Sequence, residues 1–350
     1  SPPAMIISAI VIVAYTTLGG FLAASTTDFI QSIIMSVALI VVLIFGVETA
    51  GGIGAVIHNA SELPGYLSMT LSYDVNTGKA APYSALTIVS TAAWGLGYFG
   101  MPHILLRFMA IEDEKKLKLS RRVATIWVVI SLFVAVFIGV IGYTMSKVGA
   151  LEMLTGSNSE TIIVKISALL SQHGVIFALL AGVILAGILA STMSTSDSQL
   201  LAASSAVSSD ILGAFRKDSS NKNGSMAAAR ITLLVISVVA AFIARNPDSS
   251  VFAIVSFAWA GFGAAFGPVV LFSLFWKRTN KWGALAGMVC GGSMVFIWKY
   301  LIRPLGGIWN IYELLPAFLI ACAAIVIVSL LTPKPSKEIE EEFDRVAQMK

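Results

Sequence analysis

The stretch IMSVALIVVLIF, residues 34–45, has one polar residue in twelve positions and no alternation of polar and apolar side chains. A membrane β-strand needs such alternation over about ten residues, so this run indicates a helix. Extended outward to residues 29–48 it reaches the roughly 20 apolar residues that cross a hydrocarbon core of about 30 Å. A helix satisfies its own backbone polar groups there, which lipid does not do. We therefore expect a transmembrane helix.

The rest of the chain repeats this pattern. It is 57% hydrophobic and 12% charged, whereas soluble domains are typically about 25% charged. Only five charged residues, Asp28, Glu48, Glu62, Asp74 and Lys79, precede Leu106. We predict an all-α polytopic membrane protein with about nine transmembrane helices, near 4–23, 29–48, 83–106, 123–145, 162–190, 227–244, 251–276, 282–301 and 313–331.

Basic residues distinguish the two sides of the membrane, because lysine and arginine concentrate in cytoplasmic connections. With nine crossings, seventeen of the 23 basic residues fall on the side that includes the carboxyl terminus. We therefore expect residues 1–332 to form the transmembrane domain, 333–350 a cytoplasmic tail, and 51–82 the longest external loop. The seventeen are Arg107, Lys115, Lys116, Lys118, Arg121, Arg122, Arg216, Lys217, Lys222, Arg230, Lys277, Arg278, Lys281, Lys334, Lys337, Arg345 and Lys350; the other six are Lys79, Lys147, Lys165, Arg245, Lys299 and Arg303.

The third predicted span contains the sequence AWGLGYFGMPH, residues 93–103. Three glycines and a proline disfavour a regular helix, and non-helical backbone at membrane depth occurs only where protein or a water-filled cavity satisfies it. The pattern predicts either a broken helix that lines a transport site or a kinked helix whose glycines admit a neighbour. At α-helical spacing Trp94 and Tyr98 share a face, where they would form the wall of a ligand site or anchor the chain at the membrane surface.

The fifth span ends in ASTMSTSDS, residues 190–198. Ser191, Ser194, Thr195 and Ser198 follow helical spacing. Such hydroxyls either bond back to the preceding turn or supply the oxygen ligands that a small hard cation needs. Asp28, between the first two spans, is either a functional membrane carboxylate or the N-cap of the helix that follows.

Two further glycine patterns occur near the end of the chain. Residues 259–268, WAGFGAAFGP, predict a second interruption of a span, whereas Gly283, Gly287 and Gly291 predict a close packing seam between helices. The three histidines lack metal-ligand spacing, and neither a catalytic triad nor paired carboxylates occur, so an enzyme is disfavoured. Cys290 and Cys322 lie in predicted spans, and we predict no disulfide.

Four of these stretches resemble, in the same order, those of the sodium/solute symporter family: Thr27-Asp28, WGLGYFGMPHILLRFMA (94–110), ASTMSTSDS (190–198) and FAWAGFGAAFGP (257–268). The resemblance implies a LeuT-like inverted-repeat bundle that is partial here, with core helices four onward and two C-terminal helices. Without the family's first core helix, the chain by itself is not expected to transport. The implied function is sodium-coupled import of L-proline by alternating access; the alternative substrate is pantothenate, a sugar or a monocarboxylate.

The resemblance also implies roles for individual residues. Trp94, Tyr98 and Pro102 would bind the substrate. Ser194 and Thr195 would give hydroxyl ligands to sodium, Ser191 would give its carbonyl, and Asp28 would act in sodium coupling. The implied partners are L-proline, the sodium ion and membrane lipid, with no nucleic acid, no obligate protein partner and no cofactor beyond the coupling ion. The implied location is the bacterial cytoplasmic membrane, with a cytoplasmic carboxyl terminus.

Overall fold

The computed structural model describes residues 2–211, 222–244 and 251–348, and it is built almost entirely from helices. Four basic residues of the side assignment, Arg216, Lys217, Arg245 and Lys350, lie outside these ranges. The α-helices are α1 (Pro2–Thr49), α2 (Ile53–Ser61), α3 (Ala85–Ala92), α4 (Pro102–Met109), α5 (Leu117–Lys147), α6 (Ile162–Leu170), α7 (Val175–Ser205), α8 (Lys222–Ile243), α9 (Val251–Phe275), α10 (Lys281–Ile297), α11 (Leu314–Leu331) and α12 (Lys337–Gln348).

Six helical stretches of the described chain are long and apolar enough to cross a membrane: Ile6–Thr49, Glu114–Lys147, Val175–Ser208, Val251–Phe275, Lys281–Leu305 and Leu314–Leu331. They account for seven of the nine predicted spans, because the first stretch holds two of them. The predicted sixth span is the shorter apolar helix Ala227–Ile243. The predicted third span is divided into short pieces and so has no single long helix. The chain is thus a multi-pass membrane protein.

The chain divides into two compact units, formed by residues 1–81 with 111–248 and by residues 82–110 with 249–350. In the first unit α1 packs along α7 and also contacts α5. Val42, Ile138, Ile141, Met145 and Ile184 are among its fully buried core residues. Residues 51–82, predicted as a loop, hold α2 and a two-stranded hairpin of β1 (Leu71–Asp74) and β2 (Lys79–Pro82), the one non-helical element among the described residues.

The boundary between the first two spans was placed wrongly, since residues 24–28 continue the helix. The break in α1 lies at Gly20, whose φ of 58° and ψ of −151° are outside the helical region. Glycine adopts this conformation at no steric cost. The polar residues Thr26 and Thr27 do not end the helix, because their hydroxyls donate to the carbonyls of Leu22 and Ala23. Asp28 therefore lies inside α1, and the N-cap alternative is wrong.

The fifth span begins later than predicted. Residues 162–170 form the separate helix α6, and Gly174, with a φ of 116°, precedes α7. The hydroxyl-rich stretch 190–198 therefore lies in the interior of a 31-residue helix rather than at its end.

In the second unit α9, α10 and α11 pack together around Ala260, Ala264, Val295, Ala317 and Phe318. The predicted seam is confirmed, because an added Cβ at Gly287 would lie 2.4 Å from a side-chain carbon of Ile325 on α11. Glycines at this spacing allow two helices to approach closely.

The predicted interruption at 259–268 is wrong, since α9 runs continuously through Pro268. A proline has no N–H for the carbonyl four residues earlier, which here is that of Ala264. Gly291 of α10 packs against this carbonyl so closely that a Cβ would lie 2.2 Å from its oxygen. The carbonyl that Pro268 leaves without its helical partner is therefore covered by a glycine of the neighbouring helix.

Asn280 joins the ends of two helices in the same unit. Its side-chain oxygen accepts the Gly283 N–H at the start of α10 (2.9 Å). Its amide nitrogen donates to the Thr332 hydroxyl and the Pro333 carbonyl at the end of α11, both at 2.8 Å. One buried side chain thus caps one helix and satisfies acceptors at the end of another.

Candidate transport site

The predicted ion-binding residues lie together on one face of α7. The hydroxyls of Ser194 and Thr195 both donate to the Ser191 carbonyl, each at 3.2 Å. The Ser198 hydroxyl donates to the Ser194 carbonyl at 2.8 Å. Each hydroxyl therefore donates its hydrogen bond within its own helix. A cation would instead bind the lone pairs of the hydroxyl oxygen. The arrangement therefore fits both alternatives predicted from the sequence, a bond back to the preceding turn and ligation of a cation.

The same stretch of α7 contains a buried carboxylate. Asp197 is fully buried, and one of its oxygens accepts a hydrogen bond from the Tyr15 hydroxyl of α1 (2.7 Å). The other oxygen lies 3.2 Å from the Ser198 hydroxyl, whose one proton is shared between this oxygen and the Ser194 carbonyl. Burial of a carboxylate is costly unless it is hydrogen-bonded, and these donors lower that cost. Asp28, on the second half of α1, is close enough to interact electrostatically with both Asp197 and Tyr15.

Sequence reasoning did not single out Tyr15 or assign Asp197 a role. Tyr15 is an ordinary aromatic residue in an apolar span, and its partner is 182 positions away. The available signal was Asp197 itself, because a carboxylate in a membrane helix needs a donor.

The predicted substrate-binding residues lie in the second unit, where the third span is broken as expected. Helix α3 leads into a 3₁₀ segment, Ala93–Gly100, and Met101 is extended (φ −78°, ψ 112°) before α4 begins at Pro102. A proline suits the first position of a helix, because its missing N–H has no partner there in any case. Pro102 therefore starts the second half of the broken helix.

Trp94 and Tyr98 belong to a cluster of aromatic rings. The Trp94 ring stacks on those of Trp259 and Phe252, with centroids 5.5 Å apart in each case, and on Tyr312 at 6.0 Å. The Tyr98 ring meets Trp259 edge to face at 4.8 Å. The predicted shared face assumed α-helical spacing, but a 3₁₀ helix aligns residues three apart. The two rings are joined instead through Trp259, which sequence reasoning did not select.

The cluster consists of uncharged aromatic side chains, and part of its surface is exposed. Aromatic faces pack well against aliphatic carbon, and the Trp94, Tyr98 and Tyr312 rings belong to residues that are not fully buried. Trp259 points its N–H at the Trp94 carbonyl (2.9 Å), and the Tyr312 hydroxyl donates to the Ser256 carbonyl at 2.6 Å.

Comparison with known proteins gives the family. The profile of the "Sodium:solute symporter family" matches residues 3–291. The chain belongs to this family. The fold of a Na⁺-coupled sialic acid symporter, solved in a substrate-bound outward-open state, matches with a TM-score of 0.73 at 17% identity, over 96% of this chain and 68% of that one. This match supports the LeuT-like helix bundle, and the family is one of transporters rather than enzymes.

Individual relatives share more of the sequence. The osmoregulated proline transporter OpuE of Bacillus subtilis is 38% identical over 93% of the chain, and the sodium/proline symporter of Haemophilus influenzae is 40% identical over 95%. The sodium/proline symporter of Escherichia coli is 36% identical over 95%. The chain spans 62–64% of the length of these three relatives.

Proposed function

We propose that the full-length protein imports L-proline together with sodium by alternating access. Support comes from three relatives named as proline transporters or sodium/proline symporters. The observation that ties the proposal to this chain is the aromatic cluster on the broken helix. Proline is a small zwitterion with a saturated five-membered ring, and such a ring packs well against an aromatic face. Trp94, Tyr98 and Pro102 are the proposed substrate-binding residues.

The sodium ion would bind at α7. In this proposal Ser191 gives its backbone carbonyl, and Ser194 and Thr195 give hydroxyl oxygens, all neutral ligands of the kind that hard cations take. These three groups already lie within one turn of each other. Asp28, on the helix that packs along α7, would act in sodium coupling through its negative charge.

Coupling requires that sodium binds one conformation better than the other. Sodium would then favour the state that binds proline, and linkage requires proline to raise sodium affinity by the same factor. The exchange between outward-open and inward-open states would release both on the inside.

The test is uptake of labelled L-proline into proteoliposomes that contain the full-length protein. We expect uptake with an inward sodium gradient and none with an equal potassium gradient. Unlabelled L-proline should compete, whereas pantothenate, glucose and lactate should not. Proline affinity that is independent of sodium would overturn the mechanism, and absence of sodium-driven proline uptake would refute proline as the substrate.

We also propose that the protein lies in the bacterial cytoplasmic membrane with residues 333–350 in the cytoplasm. The excess of basic residues on that side supports this orientation. A cysteine introduced at Glu341, in the exposed helix α12, should react with an impermeant maleimide only after the cells are opened. Labelling in intact cells would place residues 333–350 outside the cell and overturn the proposed orientation.

A further inference from the structure

Trp259 is the one residue in the described part of the second unit with ring contacts to both Trp94 and Tyr98. It projects from the continuous helix α9, whereas the other two lie on the 3₁₀ segment. It stacks on Trp94, with the two rings 16° from parallel, and it meets the Tyr98 ring at 84°. Trp259 therefore contacts both proposed substrate-binding rings from a neighbouring helix.

The indole is fixed by a hydrogen bond to the backbone. Its Nε1–H donates to the Trp94 carbonyl at 2.9 Å, across 165 positions of sequence. That carbonyl stands where α3 changes into the 3₁₀ segment. A regular helix would not need this bond, but a tightened and broken one gains an anchor from it.

The backbone of the segment makes room for the indole. A Cβ at Gly97 would lie 2.0 Å from Nε1 and 2.3 Å from Cδ1 of Trp259. A Cβ at Gly263 would lie 2.7 Å from the Cα of Gly97. The ring therefore rests directly on the peptide backbone of the broken helix, where any side chain would displace it.

We propose that Trp259 is a positioning residue that holds the broken helix so that Trp94 and Tyr98 accept a substrate ring of a particular size. This inference rests on the proposed function. Its hydrogen bond holds the 3₁₀ segment, and its indole lies against both of the rings that would contact the substrate. Loss of the bond would release the segment and change how those two rings meet the substrate.

The decisive variant is Trp259→Phe in proteoliposomes of the full-length protein. Phenylalanine keeps an aromatic ring beside Trp94 and Tyr98 but has no N–H. We expect the KM for proline to rise about tenfold, the fold-change that corresponds to one hydrogen bond. The kcat and the sodium dependence should stay unchanged. The inhibition order of azetidine-2-carboxylate, proline and pipecolate, with four-, five- and six-membered rings, should change.

The matched control is Trp282→Phe. Trp282 is half exposed at the start of α10, where the Lys281 ammonium lies 5.2 Å from the centre of its ring. This change should leave KM and the inhibition order as in the wild type. If Trp259→Phe lowers only kcat or the amount of protein and keeps both KM and the inhibition order, the residue is structural and the inference is overturned.

A second test does not require Trp259→Phe to fold well. Gly97→Ala should destabilise the wild type strongly, because its Cβ meets the indole, but it should do so much less in a Trp259→Ala background. Equal destabilisation in both backgrounds would overturn the contact on which the inference stands. Failure of the wild type to transport proline would instead refute the proposed function, and the glycine cycle would still report on Trp259.

Discussion

The hydroxyl stretch of α7 and the 3₁₀ segment 93–100 place polar groups at membrane depth in opposite ways. On α7 the helix is continuous, and each hydroxyl bonds a carbonyl three or four residues earlier. In the segment the helix is broken, and a side chain 165 positions away bonds its backbone. The first region is stabilised by its own sequence, and the second by its neighbour. We therefore expect packing changes to damage the segment and to leave α7 intact.

The largest effect is expected for Gly100→Ala. Its Cβ would lie 2.4 Å from the carbonyl oxygen of Phe262 and 2.7 Å from the backbone nitrogen of Gly267. Backbone atoms do not move aside as flexible side chains do, so the free energy of unfolding should fall by about 3 kcal/mol or more. Thermal unfolding of the purified protein measures this loss.

The same segment provides the control, because a Cβ at Gly95 would meet nothing within 4 Å. Gly95→Ala should be close to neutral. Equal losses in the two variants would show that the segment does not depend on contact with α9.

Tyr15→Phe should have the next largest effect. It tests Asp197, the α7 residue whose side chain, unlike the hydroxyls, is hydrogen-bonded from another helix. Asp197 has one donor from its own helix and one from α1, the Tyr15 hydroxyl. Loss of a hydrogen bond to a buried carboxylate should lower the free energy of unfolding by about 2 kcal/mol. The control is Tyr300→Phe, whose side chain is 60% exposed. An unchanged unfolding temperature for Tyr15→Phe would mean that α7 needs no partner for its carboxylate.

Thr195→Ala should change function more than stability. The Thr195 hydroxyl donates to a carbonyl of its own helix, so the unfolding free energy should change by less than about 0.5 kcal/mol. If Thr195 is a sodium ligand, the sodium concentration for half-maximal proline uptake should rise about tenfold, because a ligand of a desolvated ion is lost.

Ser196→Ala is the matched control. The Ser196 hydroxyl makes the same kind of bond, to the Thr192 carbonyl at 2.8 Å, but Ser196 lies off the helix face that carries Ser191, Ser194 and Thr195. An equal shift in sodium dependence for both variants would remove Thr195 from the ion site.

The smallest effect is expected outside both regions, at the ion pair of Glu62 and Lys147. Both side chains are substantially exposed, and exposed pairs contribute little. The hydrogen bond from Lys147 lowers the pKa of Glu62. A carboxyl group with a lowered pKa in the folded state stabilises it at neutral pH, and this contribution disappears as acid protonates the group. The small stability difference between wild type and Glu62→Gln should therefore vanish on acidification; a difference that grows in acid would contradict this sign.

Much of the fold was predictable because membrane crossing imposes a length and a polarity that the sequence must satisfy. Glycine and proline marked the broken third span correctly but misled at 259–268, where the helix continues through Pro268 while packed against Gly291 of another helix. The bend at Gly20 depends on the backbone conformation of a single glycine, whereas the sequence predicted the boundary near Asp28.

The candidate site was predictable to the extent that one segment carries its residues. Trp94 with Tyr98, and Ser191 with Ser194 and Thr195, each come from a single stretch. Tyr15 and Trp259 were missed because their importance comes from partners more than 160 positions away. The roles of all these residues in transport stay predictions, as do those of Asp28 and Pro102.

The hydrogen bonds of Asn280 couple local unfolding at the start of α10 to local unfolding at the end of α11. Because its amide group bonds both the start of α10 and the residues just after α11, neither end can fray alone without breaking a bond to the other. The amide hydrogens of the first turn of α10 and those just beyond α11 should then exchange with solvent deuterium at a shared rate. Asn280→Ala would separate them into two independently fluctuating helix ends.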